Sequence, residues 1–358
     1  IFFMHQGTIK ITKAATSKLS TTDFNNLPFG RLFTDHMLLA EYKDGAWCDP
    51  EIVPYAPLSF NPSLATLHYG QSIFEGIKAF RMKDGSAAIF RPYENLKRFN
   101  KSAHRMAMPD VPEFHFIEGM KQLLKLEDKW IPTAEDHAMY IRPFMFATDE
   151  VIGVAPSSKY YFMIILSPVG PYFSKPLNIY VEEQYVRAAP GGVGYAKTAG
   201  NYAASLYPAK LAKEKGFDQI LWMDAFEHKY VQECGAMNVF FVLDGKVITP
   251  SLEAGTILDG ITRKSIVDLA RSLGKVVEER EISIDELVAG YKNGTLTEAF
   301  GAGTAVTVSK ISGLQYKDTH ISLDASKMPI ADQIKQSMAA LRDGSAPDSF
   351  GWMVKANA

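Results

Sequence analysis

A chain of 358 residues is long enough for two domains of ordinary size, and its 47% hydrophobic and 22% charged content excludes a disordered or fibrous protein. Forty acidic against 38 basic side chains leave a formal charge of −2, which gives no footprint for nucleic acid. No apolar run approaches the ~20 residues that cross a bilayer, so no membrane span is expected.

Ile1-Phe2-Phe3 is too short for the apolar core of a signal peptide. Met4 reads as a natural start, with residues 1–3 added ahead of it. Residues 8–22 are rich in Thr, Ser and Lys and lack acids, so residues 1–26 read as a flexible leader. Asp44-Gly45 separates residues 37–42 from a segment around Trp47, and Asp84-Gly85 separates 77–81 from 87–91. Asp-Gly between apolar stretches predicts a hairpin in both places. Pro92 predicts the first turn of a helix, with Leu96, Phe99 and Ala103 on one face and Arg105 at its end. Residues 113–128 predict a second helix with Phe116, Ile117, Met120, Leu123 and Leu124 as its buried stripe. Residues 139–147 and 159–168 predict strands. The second is almost wholly apolar, which predicts burial of both its faces. Three prolines and a glycine between Ser167 and Pro176 mark a linker. The expected division is a small domain over 27–168, a linker over 169–177 and a larger domain over 178–358.

In the second half, 201–215 predicts a helix stopped by Gly216, with a kink at Pro208. Residues 219–224 predict a strand, and 238–243 with 246–249 a hairpin around Asp244-Gly245. Residues 262–273 predict a helix closed by Gly274. Ser283-Ile284-Asp285-Glu286 fits a capping box, in which the serine accepts from a backbone amide and the glutamate reaches back. Residues 297–300 and 305–309 predict strands around a Gly301–Thr304 turn, and 328–342 a last helix. Helices and strands alternate irregularly in both halves. That predicts two α+β or α/β domains, not one doubly wound sheet.

Several short stretches carry candidate chemistry. Lys197 lies among Gly191, Gly192, Gly194 and Gly200, and glycine allows close backbone approach. It reads either as a solvated loop lysine or as a lysine that forms a Schiff base. Asp259-Gly260-Ile261-Thr262 turns straight into a helix whose first amides lack partners and attract anions. Gly301-Ala302-Gly303-Thr304-Ala305 offers further amides and a hydroxyl, and Arg105 a guanidinium suited to phosphate. Glu233, ahead of an apolar strand, reads as a surface residue or as an acceptor that keeps a ring nitrogen protonated. Tyr202 reads as a packed ring or as a donor to a ring oxygen. Together these are the requirements of pyridoxal 5'-phosphate: an amine, an acid, a ring-oxygen donor and a phosphate cradle.

The chain resembles the branched-chain amino-acid aminotransferases of the fold-type IV pyridoxal-phosphate enzymes. The resemblance rests on seven segments: Leu67-His68-Tyr69-Gly70-Gln71-Ser72-Ile73-Phe74-Glu75-Gly76-Ile77-Lys78-Ala79-Phe80, Ser102-Ala103-His104-Arg105, Tyr140-Ile141-Arg142-Pro143, the run from Gly191 to Tyr202, Gln232 to Asn238, Asp259 to Arg263, and Gly303-Thr304-Ala305. It spans residues 27 to 310 or so. It implies a two-domain, mixed α/β fold like that of D-amino-acid aminotransferase, with the active site in the interdomain cleft.

The same resemblance implies transamination between Leu, Ile or Val and 2-oxoglutarate. Lys197 would form the internal aldimine and shuttle the proton. Glu233 would pair with the pyridine nitrogen and Tyr202 would bond the ring oxygen. Arg105, the amides of Ile261 and Thr262, and Thr304 would hold the phosphate. Tyr69 and the amides of Thr304 and Ala305 would bind the substrate α-carboxylate. Phe33, Phe74 and Tyr172 would wall an apolar pocket, and Tyr140 and Arg142 would receive the distal carboxylate of glutamate. A homodimer is implied. Some relatives carry a CxxC pair after Gly-Thr-Ala; Val306 and Ser309 stand there here, so that redox control is not expected. The two cysteines, Cys48 and Cys234, make no disulfide framework, so a reducing compartment, the cytoplasm, is expected. No metal is expected. The alternatives are a D-amino-acid aminotransferase or a lyase of the same fold type, and a non-catalytic cofactor-binding protein.

Overall fold

The computed structural model describes residues 7–173 and 175–356, so the reading of residues 1–3 lies outside the described residues. Its chain forms two compact units. Among the described residues, the first takes 7–171, 197–199 and 340–356, and the second takes 172–173, 175–196 and 200–339.

The first unit is built on a ten-stranded sheet. Its strands are β1 (Lys10–Ile11), β2 (His36–Lys43), β3 (Ala46–Trp47), β4 (Glu51–Pro54), β5 (Ser72–Phe74), β6 (Ile77–Arg81), β7 (Ala87–Phe90), β8 (Ala138–Ala147), β9 (Tyr160–Val169) and the C-terminal strand Met353–Lys355. The order is β1-β4-β2-β9-β8-β6-β7 followed by the C-terminal strand, with β3 on β2 and β5 on β8. Both Asp-Gly hairpins form as expected, β2 with β3 and β6 with β7. β8 and β9 pair along their whole length, from Ala138↔Val169 to Ala147↔Tyr160.

Among the described residues, the α-helices α1 (Ala65–Tyr69), α2 (Pro92–Arg105) and α3 (Gly119–Leu126) belong to this unit. α2 starts on Pro92 and buries Leu96, Phe99 and Ala103, the face its spacing predicts. The helix expected over 113–128 is not uniform. Phe114–Glu118 winds as a wider π-turn before α3 begins, and Phe116 and Ile117 still reach the interior with Met120, Leu123 and Leu124. Phe99, Phe116 and Phe162 meet at centroid distances of 5.5–5.8 Å and form the centre of the core. Part of the stretch read as a leader carries hydrogen bonds to this sheet. β1 pairs with β4, Ala14 N donates to His36 Nε2, and Ser17 Oγ and Lys18 N donate to Asp35.

The second unit has a nine-stranded sheet. It comprises β10 (Leu177–Val181), β11 (Gln219–Met223), β12 (Val231–Cys234), β13 (Asn238–Leu243), β14 (Lys246–Thr249), β15 (Val277–Glu279), β16 (Leu296–Gly303), β17 (Thr307–Tyr316) and β18 (Thr319–Ser322). The order is β12-β11-β10-β17-β16-β13-β14-β15, with β18 on β17. β10 pairs in parallel with β11 and β17, and β14 with β15, while the other pairs are antiparallel. Both sheets are mixed, as the irregular alternation of elements implied.

The helices of the second half are α4 (Ala199–Glu214), α5 (Ile261–Ser272), α6 (Ile284–Asn293) and α7 (Pro329–Arg342). Two local expectations need correction. Ser283 Oγ does accept from Glu286 N at 3.1 Å, but the Glu286 carboxylate turns to Arg280, 2.6 Å from Nη2, where a charged partner is stronger than a backbone amide. Gly301 to Gly303 are strand, not turn. Their backbone pairs with β17, and Gly301 and Ala302 pair with β13 as well, leaving only residues 304–306 to reverse the chain.

Candidate active site

In the first unit, Lys197 is held by its backbone. Lys197 N donates to Ser102 Oγ at 2.9 Å, and Lys197 O accepts from Phe74 N at 3.1 Å. Thr198 Oγ1 donates to Ser72 O at 2.9 Å, and Thr198 bridges to Ile73. Lys197 and Thr198 thus lie alongside β5, bridged to it just before α4 begins at Ala199. The Lys197 side chain is half-buried, with Nζ 4.9 Å from the centroid of the Phe74 ring.

The same ring carries a second cation. Arg142 Cζ lies 4.6 Å from the Phe74 centroid, and Arg142 Nη2 donates to Tyr140 Oη at 2.9 Å. Tyr140 stands edge-on to Phe29 at 4.9 Å. Phe74 is fixed by the residue after it. Glu75 is fully buried and takes a two-pronged bond from Arg98, 2.8 Å from Nε and 2.7 Å from Nη2. Asn95 Nδ2 adds a third bond at 2.8 Å, and Glu75 N donates to Pro143 O at 2.7 Å. Paired on both oxygens, this carboxylate is tolerable in the interior and clamps the β5–β6 connection to α2 and β8.

In the second unit, a cavity is lined by Tyr202 and Glu233 with Arg187, Gly194, Ala196, Asn201, Ser205, Gly235, Ala236 and Leu258. Glu233, near the end of β12, is 4% exposed. Its Oε1 accepts from Leu258 N at 2.9 Å and from Asn238 Nδ2 at 3.4 Å, and its Oε2 lies 3.2 Å from Arg187 Nε. Asn238 Nδ2 also donates to Leu258 O at 3.0 Å. Leu258 therefore ties the carboxylate to the segment that enters α5. That helix begins at Gly260 with no side-chain cap, so the first amides, those of Ile261 and Thr262, have no capping oxygen of their own. A β-carbon on Gly260 would overlap Asn238 Oδ1, so only glycine lets the two segments approach. Thr304 and Ala305 are half-buried in the short connection from β16 to β17.

Of the predicted site residues, Lys197, Phe74, Tyr140 and Arg142 form one group, and Tyr202 and Glu233 line one cavity, with Ile261 and Thr262 a few residues beyond Leu258. The rest are placed by local structure. Arg105 is the exposed last residue of α2, and Tyr69 ends α1 at 39% exposure. Phe33 stacks on Tyr55 at 5.1 Å, and Tyr172 stands edge-on to Phe173 at 4.7 Å. Sequence reasoning assigned no role to Arg187, Asn238, Leu258 or Glu75. Glu75 lies inside a quoted segment, and a glutamate between Phe74 and Gly76 in an apolar stretch was a usable signal. Leu258 contributes through its amide, which leaves no mark in the side chain. Cys234 is fully buried, and burial, with the Glu233 charge beside it, pushes its thiol up, away from the reactive thiolate. Among the described residues, no cluster of His, Cys, Asp or Glu could hold a metal, and no helix is long and apolar enough to cross a membrane.

A buried carboxylate and a phenol on one cavity, tied to an uncapped helix start, fit a phosphorylated pyridine. Comparison agrees: the family model described as amino-transferase class IV matches residues 72–314. The chain belongs to the class IV aminotransferases. This is an enzyme family whose cofactor is pyridoxal 5'-phosphate, and the fold is that of the fold-type IV enzymes. A probable branched-chain-amino-acid aminotransferase of Staphylococcus aureus (strain MRSA252) is 49% identical over 352 residues, covering 97% of this chain and 98% of that one. The crystal structure of the Escherichia coli branched-chain amino acid aminotransferase superposes with a TM-score of 0.74 at 26% identity, over 90% of this chain and 99% of that one. The T.th. branched-chain amino acid aminotransferase complexed with N-(5'-phosphopyridoxyl)-L-glutamate gives a TM-score of 0.71 at 27% identity, over 89% of this chain and 98% of that one.

Proposed function

We propose that this class IV aminotransferase moves the amino group between a branched-chain L-amino acid (Leu, Ile or Val) and 2-oxoglutarate. Bound pyridoxal 5'-phosphate supplies an aldehyde that takes up an amine and a ring that draws electrons from the substrate α-carbon. Lys197 Nζ would anchor the cofactor and would hold or move the proton at that carbon. Glu233 would accept from the ring nitrogen, and Tyr202 Oη would donate to the ring oxygen. Arg105, the amides of Ile261 and Thr262, and Thr304 would hold the phosphate. Tyr69 and the amides of Thr304 and Ala305 bind the α-carboxylate, and Phe33, Phe74 and Tyr172 face the aliphatic side chain.

The observation that carries this reading is the double use of Phe74. One ring lies 4.9 Å from Lys197 Nζ and 4.6 Å from the Arg142 guanidinium. An apolar wall next to the amine suits an isobutyl group. An arginine resting on that wall, already bonded to Tyr140, can meet a propionate without being left as a bare buried charge. The enzyme works as a cytoplasmic homodimer. Support for a second copy comes from Leu67, Ile152 and Val154, exposed at 70%, 73% and 89%. Leu64 bridges Glu150, which sets α1 beside that loop.

The deciding experiment incubates the purified protein with L-leucine and 2-oxoglutarate and follows L-glutamate and the branched 2-oxo acid. Both form in equal amounts, D-alanine gives little product, and borohydride fixes the cofactor to the peptide that contains Lys197. Turnover of D-alanine in preference to L-leucine would assign the site to the D-amino-acid enzymes. Fixation elsewhere than Lys197 would remove the mechanism.

A further inference from the structure

Arg187 precedes the glycine-rich run, and its side chain is 8% exposed. Nε lies 3.2 Å from Glu233 Oε2, an ion pair whose N–H is not aligned for a hydrogen bond. Nη2 donates to two backbone oxygens, Gly194 O at 3.4 Å and Thr256 O. Glu233 is thus bounded on one oxygen by a guanidinium and on the other by the Leu258 amide. The guanidinium also brackets the two segments that line the cavity, 187–196 and 256–260. Those segments lie backbone to backbone, since a β-carbon on Gly194 would overlap Thr256 O and stand 2.5 Å from Ala188 Cβ.

We propose that Arg187 is a positioning residue. It keeps the Glu233 carboxylate ionised and facing the cavity, and ties the glycine-rich run to the segment entering α5, before any cofactor arrives. The inference rests on reading Glu233 as the acceptor for the cofactor's ring nitrogen. A carboxylate buried this deeply takes up a proton when its cation is removed, because burial disfavours the charged form. A protonated carboxyl no longer serves as the full acceptor that a ring N–H requires. Arg187 therefore acts through Glu233 and has a pH signature that a purely structural bracket lacks.

The test starts from the wild type. If borohydride does not fix the cofactor to Lys197, the functional reading fails, and the variants are not its judge. With fixation established, cofactor affinity is measured by fluorescence quenching at pH 6.5 and pH 8.5 for wild type, Arg187→Met, Arg187→Gln and Arg187→Lys. Arg187→Met and Arg187→Gln bind at least about tenfold more weakly than wild type at the lower pH, the loss expected when a buried ion pair is broken. Their deficit shrinks at the higher pH, because a higher pH favours the ionised form of a buried carboxyl that has lost its cation. Arg187→Lys keeps the charge and shows a small deficit that is the same at both pH values. If Arg187→Met fails to fold, Arg187→Gln, which keeps a polar side chain without the charge, carries the comparison. A neutral variant that binds like wild type, a deficit equal at both pH values, or Arg187→Gln matching Arg187→Lys overturns the proposal.

Discussion

On the proposed reading, the contact between Phe74 and Arg142 serves two substrates. The guanidinium rests on the ring and bonds Tyr140 Oη, which would give it a place to lie with an aliphatic substrate bound as proposed. Arg142→Gln therefore separates the two half-reactions. Its KM for 2-oxoglutarate rises about 10- to 100-fold, the loss of one charge-assisted hydrogen bond, while the KM for L-leucine changes little. Equal changes in both constants would mean that Arg142 supports the strand and not the distal carboxylate. Glu75 marks the limit of sequence reading at this scale. Its identity was visible, but its pairing with Arg98 and Asn95 across α2 is a long-range contact that no local pattern encodes.

At the scale of elements, local chemistry was legible. Asp-Gly fixed three hairpins, Pro92 started α2, and Ser283 capped α6. The failures came where tertiary partners displaced local ones. Glu286 left its capping box for Arg280, and Gly301 to Gly303 joined β16 because a strand stands ready on either side. On the proposed reading the start of α5 holds the cofactor's phosphate. Gly260→Ala drives a β-carbon against Asn238, which holds both Leu258 O and Glu233 Oε1. The substitution costs about 1–3 kcal/mol of stability, as over-packed sites do, and lowers cofactor affinity in parallel. Thermal unfolding without cofactor and a binding titration measure the two effects. An unchanged titration would show that α5 does not hold the phosphate.

Over the whole molecule, the buried Lys78 links stability to pH. Burial, helped by the Arg342 charge and opposed by Asp136, lowers its pKa to about 7. An unfolded lysine titrates near ~10.4. Between these values the unfolded chain binds more protons than the folded one, so this group makes stability rise with pH from 7 towards 10. Below pH 7 its full cost is present. Lys78→Met removes the slope: it gains most over wild type at pH 7 and the gain disappears near pH 10, as denaturant melts at the two pH values report. A gain constant with pH would show that packing, not charge, separates the two proteins.

By itself the sequence determined most strands and helices, the family and its cofactor, because turn chemistry, periodicity and short motifs are local and survive without coordinates. Only the tertiary structure decided that Lys197 runs beside β5, that Glu233 shares its oxygens between Arg187 and the Leu258 amide, and that Arg142 lies on Phe74. These are contacts between residues far apart in the chain. They form because a buried backbone or charge must find a partner, and which partner lies within reach is set by how the sheets fold.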